Sequence, residues 1–391
     1  MRWLVTAATI VVLLRSIGVA QNTYTYKRLH SFSGAPSDGA APTSGVVLDA
    51  EGNLYGTTYY GGNPTNSGAV YKLSPDGSEQ LLYSFSGPDG ANPVASLLLA
   101  NGNLYGSTIL GGSENSGTVF QVSQGGTFST IVSLNYAIGN PFASLIMDSE
   151  SNLYGTGYLG FTAGAATAFE LSLSGDATVL GSGGLSGLIM DESGNLYGTN
   201  AIGGQNQCVP NPEFSGCGYV FELNAGQSVL LHSFYGLTGV RDQGRPDGAF
   251  PFYGSLIRDA SGNFYGTTFG GGFHNFGAVF ELNSSGDETP LYSFKGGIDG
   301  SYPLYGLLRD AQGNLYGTTY QGGVSGNGTV FQVNTSLQET VLYSFTGGKG
   351  GAYPMCTLVR DAKGNFYGTT QAGGAFGLGT IFELQLDKQT N

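Results

Sequence analysis

The chain consists of short apolar runs that alternate with polar turn residues. An apolar run such as 255–259 ends in a turn and precedes the string GNFYGTT, a second run such as 277–282 follows that string, and a segment such as 339–345 completes the unit. The runs are rich in β-branched and aromatic residues and are bounded by Gly, Asp, Asn or Pro, which is typical of β-strands. No stretch shows the spacing of an amphipathic helix. The pattern therefore predicts an all-β protein.

This four-strand unit repeats along the chain. The string GNLYGTT and its close variants occur seven times, at Asn53, Asn103, Asn152, Asn195, Asn263, Asn314 and Asn365. The copies are 50, 49, 43, 68, 51 and 51 residues apart. Four short strands in about 50 residues are typical of one β-propeller blade. We therefore predict a seven-bladed β-propeller with four-stranded blades.

The two ends of the chain complement each other. The seventh repeat stops after its third strand, at residues 380–384, and only seven residues follow. A strand that ends like the LYSF motif of the other repeats stands at residues 24–32 instead. We expect this N-terminal strand to complete the last blade, because a closed ring leaves no open sheet edge.

Residues 1–20 differ from everything that follows. A basic start, an apolar run over residues 3–14 and a small-x-small sequence before Gln21 are typical of a secretory signal peptide. An uncleaved anchor is the alternative, although Arg15 interrupts the apolar run. We predict a signal peptide at 1–20, a single propeller domain at 21–391, and secretion to the extracellular space, the cell surface or the periplasm.

Composition supports the predicted β-propeller and restricts the classes of molecule that we expect the protein to bind. The chain has 391 residues, of which 68 are glycine, and the turn D-A-x-G-N recurs with Asp and Gly at the places that a tight hairpin needs. Only 10% of residues are charged, and the net charge is −13. Acidic surfaces repel phosphate backbones and anionic lipids. We expect a monomer that binds an extracellular protein or a glycan, and neither nucleic acid nor membrane.

The full repeat also resembles a known family. The unit LYSF-x-G-x-DGA-x-P-x-x-x-L-x-x-D-x-x-GNLYGTT-x-x-GG-x-x-x-x-GTVF-x-L is similar to the Gloeo/Verruco (GloVer) tandem repeat of secreted bacterial proteins, and residues 289–345 carry it most clearly. The third copy departs most, with Gly-Ser-Gly-Gly at 181–184. The resemblance implies an extracellular or cell-surface location. It implies no reaction and no functional residues.

Departures from the repeat mark a candidate site. In a four-stranded blade, the loops between strands two and three and between blades emerge on one face, and rigid scaffolds commonly carry function on such loops. The spacing of 68 reflects an insertion at 203–218 and a longer loop at 235–247. We predict a ligand site formed by Arg241, Asp242, Arg245, Asp247 and His274. The alternative is a solvated loop with an internal ion pair, which contributes little.

The chain has three cysteines. Cys208 and Cys217 lie nine residues apart in the insertion, and in an oxidising compartment we expect them to form a disulfide. Cys356 begins a first strand at a position that holds Gly or Ser in other repeats, so we interpret it as a small buried residue.

Recognisable catalytic patterns do not occur in the sequence. We find no zinc-ligand spacing, no Ser-His-Asp arrangement and no phosphate-binding loop, so we expect no metal and no cofactor. Loops between blades carry Asp38, Asp89, Asp247 and Asp299, which either ring the channel or form turns. We predict a non-enzymatic binding scaffold that uses the long-loop face. The alternative is a glycoside hydrolase or lyase acting on polysaccharide at the channel mouth.

Overall fold

The computed structural model describes residues 22–159, 166–205, 208, 216–224, 226–236 and 247–387. These ranges form 34 β-strands and one 3-10 turn, Gly348–Gly350. They contain no helix with the length and apolar character that crossing a membrane requires. The all-β prediction is confirmed. Residues 1–20 and most of the two longer loops, with Arg241, Asp242 and Arg245, lie outside the described residues.

The first half of the chain contains sixteen strands. In chain order they are β1 (Tyr24–Ser31), β2 (Gly39–Ala40), β3 (Val47–Leu48), β4 (Leu54–Thr58), β5 (Tyr60–Gly61), β6 (Ala69–Leu73), β7 (Glu79–Ser84), β8 (Leu98–Ala100), β9 (Asn103–Thr108), β10 (Thr118–Ser123), β11 (Phe128–Ser133), β12 (Asn140–Pro141), β13 (Ile146–Met147), β14 (Leu153–Tyr158), β15 (Ala166–Leu171) and β16 (Ala177–Ser182).

The second half contains the remaining eighteen strands. They are β17 (Ile189–Met190), β18 (Leu196–Asn200), β19 (Tyr219–Asn224), β20 (Gln227–Ser233), β21 (Gly248–Ala249), β22 (Ile257–Arg258), β23 (Phe264–Thr268), β24 (Gly270–Gly271), β25 (Ala278–Leu282), β26 (Glu288–Ser293), β27 (Leu308–Arg309), β28 (Leu315–Thr319), β29 (Thr329–Val333), β30 (Glu339–Ser344), β31 (Ala352–Pro354), β32 (Val359–Arg360), β33 (Phe366–Ala372) and β34 (Thr380–Leu386).

The strands form seven antiparallel blades. Blades one to six contain, in order, β3-β4-β6-β7, β8-β9-β10-β11, β13-β14-β15-β16, β17-β18-β19-β20, β22-β23-β25-β26 and β27-β28-β29-β30. Blade seven contains β32-β33-β34-β1. Four short strands precede a first strand. Of these, β12 and β31 pair with the second strand of their blade, β14 and β33. The other two, β2 and β21, pair with the short strands β5 and β24 that follow the second strand. The predicted seven-bladed propeller is confirmed.

The N-terminal strand closes the ring. Strand β1 pairs with β34 from Tyr24 opposite Leu386 to Ser31 opposite Thr380, with a bulge near its end. Its Tyr26 ring also stacks on Tyr343 of blade six, at 4.5 Å between ring centroids. The outer strand of blade seven therefore comes from the other end of the chain, as the repeat pattern predicts.

Aromatic pairs fill the seams between blades. At five seams among the described residues, the Phe that follows an outer strand packs edge-on against the third-strand aromatic ring of the next blade. Ring centroids lie 5.0–5.2 Å apart in the pairs Phe32–Tyr71, Phe85–Phe120, Phe234–Phe280, Phe294–Phe331 and Phe345–Phe382. Edge-to-face geometry is favourable for aromatic rings. The apolar core is thus distributed between the blades.

The repeated aspartate of the first hairpin, present in six of the seven blades, is part of a turn. In blade six, Asp310 Oδ1 accepts the backbone N–H groups of Gln312 and Asn314, at 3.0 and 2.9 Å. Its Oδ2 accepts the Asn314 side-chain amide and the Tyr316 hydroxyl, both at 2.9 Å. The same bonds to Asn and Tyr recur at Asp49, Asp148, Asp191, Asp259 and Asp361. These carboxylates therefore hold the hairpins together.

The turn aspartate makes stability depend on pH. Burial raises the pKa of Asp310, but the hydrogen bonds from Asn314 and Tyr316 outweigh it, so its pKa lies below the ordinary 3.8. Such a group stabilises the fold above its unfolded pKa, and this contribution is lost as the pH falls through the folded pKa. We expect Asp310→Asn to cost about 1 kcal/mol at pH 7, because one set of hydrogen bonds is weakened. The difference in the free energy of unfolding between Asp310→Asn and the native chain should decrease below about pH 4.

Denaturant unfolding at several pH values checks this expectation. Asp287→Asn serves as the control, because Asp287 lies on an exposed turn, and surface changes usually stay within about 0.5 kcal/mol. The free energies of unfolding of Asp310→Asn and the native chain are compared from pH 7 to about pH 2. A constant difference over this range would contradict the role of the ionised carboxylate in the turn.

Candidate functional site

The two faces of the ring have loops of different length. On one face, short turns connect the first strand to the second and the third to the fourth. On the other face, strands β4 and β6 are joined by 59–68, and blade one is joined to blade two by 85–97. We call this second side, with the equivalent loops of the other blades, the long-loop face. It is the face on which the candidate site was expected.

Residues just before the first strands meet at the ring axis. A cavity of about 180 Å³ there is lined by Thr43, Tyr59, Val94, Phe142, Tyr253, Tyr305 and Met355. Tyr59 directly follows β4 and so lies at the start of a loop of the long-loop face. The cavity is therefore on the side of the ring that carries the long loops. We call it the axial recess. A deeper cavity of about 30 Å³ is lined partly by the same side chains and partly by Ser and Thr. Among the described residues, no carboxylate lines either cavity.

The axis below the recess is filled by protein. The Tyr305 hydroxyl donates a 2.6 Å hydrogen bond to the carbonyl of Thr43, which joins blade six to blade one. The Tyr253 ring lies between Phe142 and Tyr305, with centroids 6.4 and 6.0 Å away. Burial raises the pKa of both Tyr253 and Tyr305, so both hydroxyls are neutral at pH 7. The recess is therefore a shallow aromatic depression.

Most of the exposed large apolar side chains in the described part of the chain lie on the long-loop face. Nine of the fourteen large apolar side chains that are exposed in the described part of the chain lie in these loops: Tyr60, Leu110, Tyr136, Leu159, Phe273, Ile298, Val324, Phe376 and Leu378. We call these nine residues the apolar rim. Tyr136, Ile298 and Val324 are 76%, 75% and 79% exposed. Contiguous exposed apolar surface marks interaction sites, so the face that holds most of these side chains is the candidate.

The predicted ligand site is only partly described. Asp247 is buried, and its Oδ1 accepts the backbone N–H groups of Tyr235 and Gly236 at 2.8 and 2.9 Å. His274 is exposed in the loop between β23 and β25. The structure places both on the long-loop face, with Asp247 turned into its own loop. Arg241, Asp242 and Arg245 fall outside the described residues, so the combined site stays a prediction.

The loop aspartates bind their own turns. Asp38, Asp89 and Asp299 each accept a backbone N–H group, from Ser33, Ser86 and Lys295 respectively. Each also pairs with the His or Tyr of the preceding outer strand: His30, Tyr83 and Tyr292. A ring of these carboxylates around the channel is therefore not formed, and the turn interpretation is correct.

From the sequence we did not identify the glutamates that lie beside two His–Asp pairs, His30–Asp38 and His232–Asp247. His30 and Asp38 lie beside Glu79, and His232 and Asp247 lie beside Glu288. Two signals were available: His30 and His232 replace the Tyr of LYSF, and a Glu recurs four residues before that Tyr in three repeats. The glutamates come from the next blade, so spacing within one repeat does not connect them to the histidines.

The predicted disulfide is present. Cys208 and Cys217 are bonded, and both pack in an apolar cluster with Phe234. Cys356 is a free buried thiol, and burial raises its pKa to about 12. A thiol in this state is unreactive, because the thiolate is the nucleophilic form.

A larger cavity lies away from the long-loop face. It has about 700 Å³ and sits between blades seven and one, near their short turns. Two of its basic side chains have partners: Lys27 Nζ lies 3.7 Å from Glu383 Oε2, and Arg28 Nη1 donates to the carbonyl of Lys349 at 2.8 Å. Charged side chains of both signs line this cavity.

Solved structures similar to this chain have low sequence identity. The extracellular domain of a protein assigned to the one-component systems of B. thetaiotaomicron is 11% identical, with a TM-score of 0.54 over 91% of this chain and 39% of that one. This chain thus spans well under half of that relative. A protein assigned as a gluconolactonase is 12% identical, with a TM-score of 0.43 over 93% of this chain and 92% of that one. The tricorn protease is 12% identical, with a TM-score of 0.44 over 78% and 26%.

Sequence comparison gives a more specific result. A search of the curated proteins finds no match to this chain. The family model of the Gloeobacter/Verrucomicrobia repeat matches residues 17–208 and again 184–391, which together cover the blades from end to end. The chain therefore belongs to the Gloeobacter/Verrucomicrobia repeat family, in which the resemblance of its repeat unit had placed it.

Proposed function

We propose that this protein is a secreted, non-enzymatic propeller that binds an extracellular protein or glycan through its long-loop face. The observation that carries the proposal is the apolar rim on that face. Nine of the fourteen exposed large apolar side chains of the described residues lie on this face, and a partner that covers them would remove them from water. The uniform blades act as a rigid support for these variable loops.

The recess provides a specific anchor point. At about 180 Å³ it is smaller than the roughly 300–1,000 Å³ of a typical small-molecule pocket. It therefore accepts one ring or side chain of a larger ligand, while the apolar rim contacts the rest. Aromatic side chains such as Tyr253 and Phe142 suit this role, since aromatic residues dominate the binding energy at many interfaces.

The recess offers little support for catalysis. Glycoside hydrolysis uses two carboxylates about 5–10 Å apart on either side of the bond that breaks. The described residues that line the axis are apolar, aromatic or hydroxyl-bearing side chains. Binding is therefore the function that this chemistry favours, and the glycoside hydrolase or lyase is the weaker alternative.

Secretion is part of the proposal. The predicted signal peptide at residues 1–20 would direct the chain out of the cytoplasm, leaving residues 21–391 as one propeller domain. The bond between Cys208 and Cys217 supports this, because disulfides persist in oxidising compartments.

A binding screen with a paired activity assay tests the proposal. The purified chain is applied to arrays of glycans and of extracellular proteins, and released sugars are measured on the same polysaccharides. We expect binding without product. Val324→Ser combined with Phe376→Ser should weaken the affinity about tenfold, because contact residues that matter contribute more than 1 kcal/mol.

A variant on the opposite face provides the control. Leu337 is 50% exposed in the short turn between β29 and β30, and Leu337→Ser should leave the affinity unchanged. Release of sugar by the native chain, or equal loss of affinity in the control and the rim variant, would refute the proposal.

A further inference from the structure

Three polar side chains meet at two of the seams between blades. Each group combines a His on an outer strand, the Asp of the following loop and a Glu on the outer strand of the next blade. The first, the His30 cluster, contains His30, Asp38 and Glu79, and the second, the His232 cluster, contains His232, Asp247 and Glu288. In each cluster one ligand atom per residue lies within 4.8 Å of the other two.

The carboxylates of these clusters are held in place by the backbone. Asp38 Oδ2 accepts the Ser33 N–H group at 2.7 Å, and Oδ1 accepts the Gly39 N–H group at 2.6 Å. The imidazole Nε2 of His30 lies 3.3 Å from Asp38 Oδ2. The His232 cluster repeats this arrangement, with the same 3.3 Å between His232 Nε2 and Asp247 Oδ2. Both clusters are thus pre-oriented.

The His30 cluster brings two carboxylates close together. Within the described part of the chain, Glu79 Oε1 is buried without a hydrogen-bond partner, and no Lys or Arg pairs with Asp38 or Glu79. Burial, followed by the charge of Asp38, raises the pKa of Glu79 to about 7, while His30 opposes this shift. Buried carboxylates are costly unless they are paired or bind a cation.

A third seam has the same Asp and Glu positions but no histidine. Tyr292 stands at the histidine position there and donates a 2.9 Å hydrogen bond to Asp299. Glu339 occupies the glutamate position, and its Oε1 is likewise buried without a hydrogen-bond partner. Burial and the charge of Asp299 raise the pKa of Glu339 to about 7, and the positive charge of Lys295 opposes the shift. The residue at the position of Lys295 is Ser33 in the His30 cluster and Tyr235 in the His232 cluster. The two histidine clusters thus lack this lysine.

We propose that the His30 cluster and the His232 cluster each bind a zinc ion, with the imidazole nitrogen and two carboxylate oxygens as ligands. Tetrahedral zinc lies about 2.0–2.2 Å from such atoms, so two of its ligands lie roughly 3.3–3.6 Å apart. The 3.3 Å between the His and Asp atoms already fits this separation. The glutamate oxygen, which lies within 4.8 Å of them, would move inward by up to about 1.5 Å. The backbone N–H groups that donate hydrogen bonds to the carboxylates of Asp38 and Asp247 would orient these ligands. A nitrogen ligand favours zinc over calcium or magnesium, which prefer oxygen.

Both sites would join blades. The His30 cluster links blade seven to blade one, where the ends of the chain meet, and the His232 cluster links blade four to blade five. Zinc that binds only the folded ring raises its stability in proportion to the logarithm of the metal concentration. The proposal concerns a different part of the molecule from the long-loop binding surface and does not depend on it.

Calorimetric titration of the untagged, metal-free chain with zinc chloride at pH 7.5, without reductant, tests the proposal. We expect two equivalents for the native chain, one each for His30→Tyr and His232→Tyr, and none for the double variant. Tyrosine is tolerated at this position, since Tyr83, Tyr292 and Tyr343 occupy it in other blades. Zinc should also raise the melting temperature of the native chain and leave that of the double variant unchanged.

Converting the third seam provides a gain-of-site test. Tyr292→His combined with Lys295→Ser reproduces the His30 cluster around Asp299 and Glu339, and it should add a third equivalent. Glu79→Gln preserves the shape of the side chain and should lower the affinity of one site at least tenfold.

Two results would overturn the proposal. One is a folded native chain that takes up no zinc, and the other is a double variant that still binds two equivalents. His274→Ala, which removes an exposed histidine outside the clusters, is the control and should retain both equivalents.

Discussion

A chain that lacks residues 22–32 should fail to form a stable closed ring. This deletion removes β1, so the edge of β34 is left unpaired, and it also removes Phe32 from its contact with Tyr71 of blade one. Tyr26 loses its stacking on Tyr343. Each buried aromatic side chain contributes about 1.5–3 kcal/mol. The combined loss is comparable with the 5–15 kcal/mol that stabilises a typical domain. We therefore expect aggregation or a loss of cooperative thermal unfolding.

Moving the strand to the other end of the chain is the matched control. The backbone N–H group of Asp387 donates to the carbonyl of Thr23 at 2.9 Å, so the two ends already lie side by side. A circular permutant that begins at residue 33 and joins 387 to 23 through a short turn should regain the native melting temperature. If the truncated chain unfolds in calorimetry as cooperatively as the native chain and at the same melting temperature, closure of the ring contributes little to stability.

The second large effect concerns the glycine in the LYGTT motif. In blade six, a Cβ atom added to Gly317 would lie 2.7 Å from Phe331 Cζ and 3.0 Å from Leu307 Cδ2. Phe331 is completely buried. The glycine therefore makes room for the ring of the neighbouring strand. We expect Phe331→Ala to cost about 3–5 kcal/mol and Gly317→Ala about 1–3 kcal/mol.

The two substitutions should not be additive. In the double variant, the methyl group of Gly317→Ala enters space that Phe331→Ala vacates, so its cost should be less than the sum of the single costs. Denaturant unfolding of the four chains measures this coupling. Gly297→Ala is the control, since an added Cβ meets nothing within 4 Å there. Strict additivity would show that Gly317 has a role other than making room.

The architecture could be predicted from the sequence because each blade is encoded locally. Strands such as β28 and β33 carry the LYGTT pattern, which repeats at a nearly constant interval. The prediction for β1 needed only one further step, since the last repeat lacks an outer strand and the residues before the first repeat supply one. Each local signal is weak, but because it recurs in every repeat the fold could be predicted reliably.

The site was harder to predict because its residues are brought together by the ring. Phe142, Tyr253 and Tyr305 stand at a variable position before the first strand, and only the ring axis makes them neighbours. Asp38 was one candidate for the channel, but the Ser33 N–H group draws its carboxylate into a local turn. Glu79 joins the same cluster from the next blade, 41 residues further along the chain. Local spacing cannot reveal such contacts.

Closure by the two ends also has a consequence for assembly. Strand β1 is synthesised first and its partner β34 last, so their pairing must wait for the whole chain and is a slow, long-range step. Until then, β1 of one copy can pair with β34 of another. A reciprocal exchange between two copies closes as a dimer, whereas an exchange that passes from copy to copy extends into linear polymers. The same strand pair that completes a single ring would then link neighbouring molecules, and the outcome would depend on protein concentration.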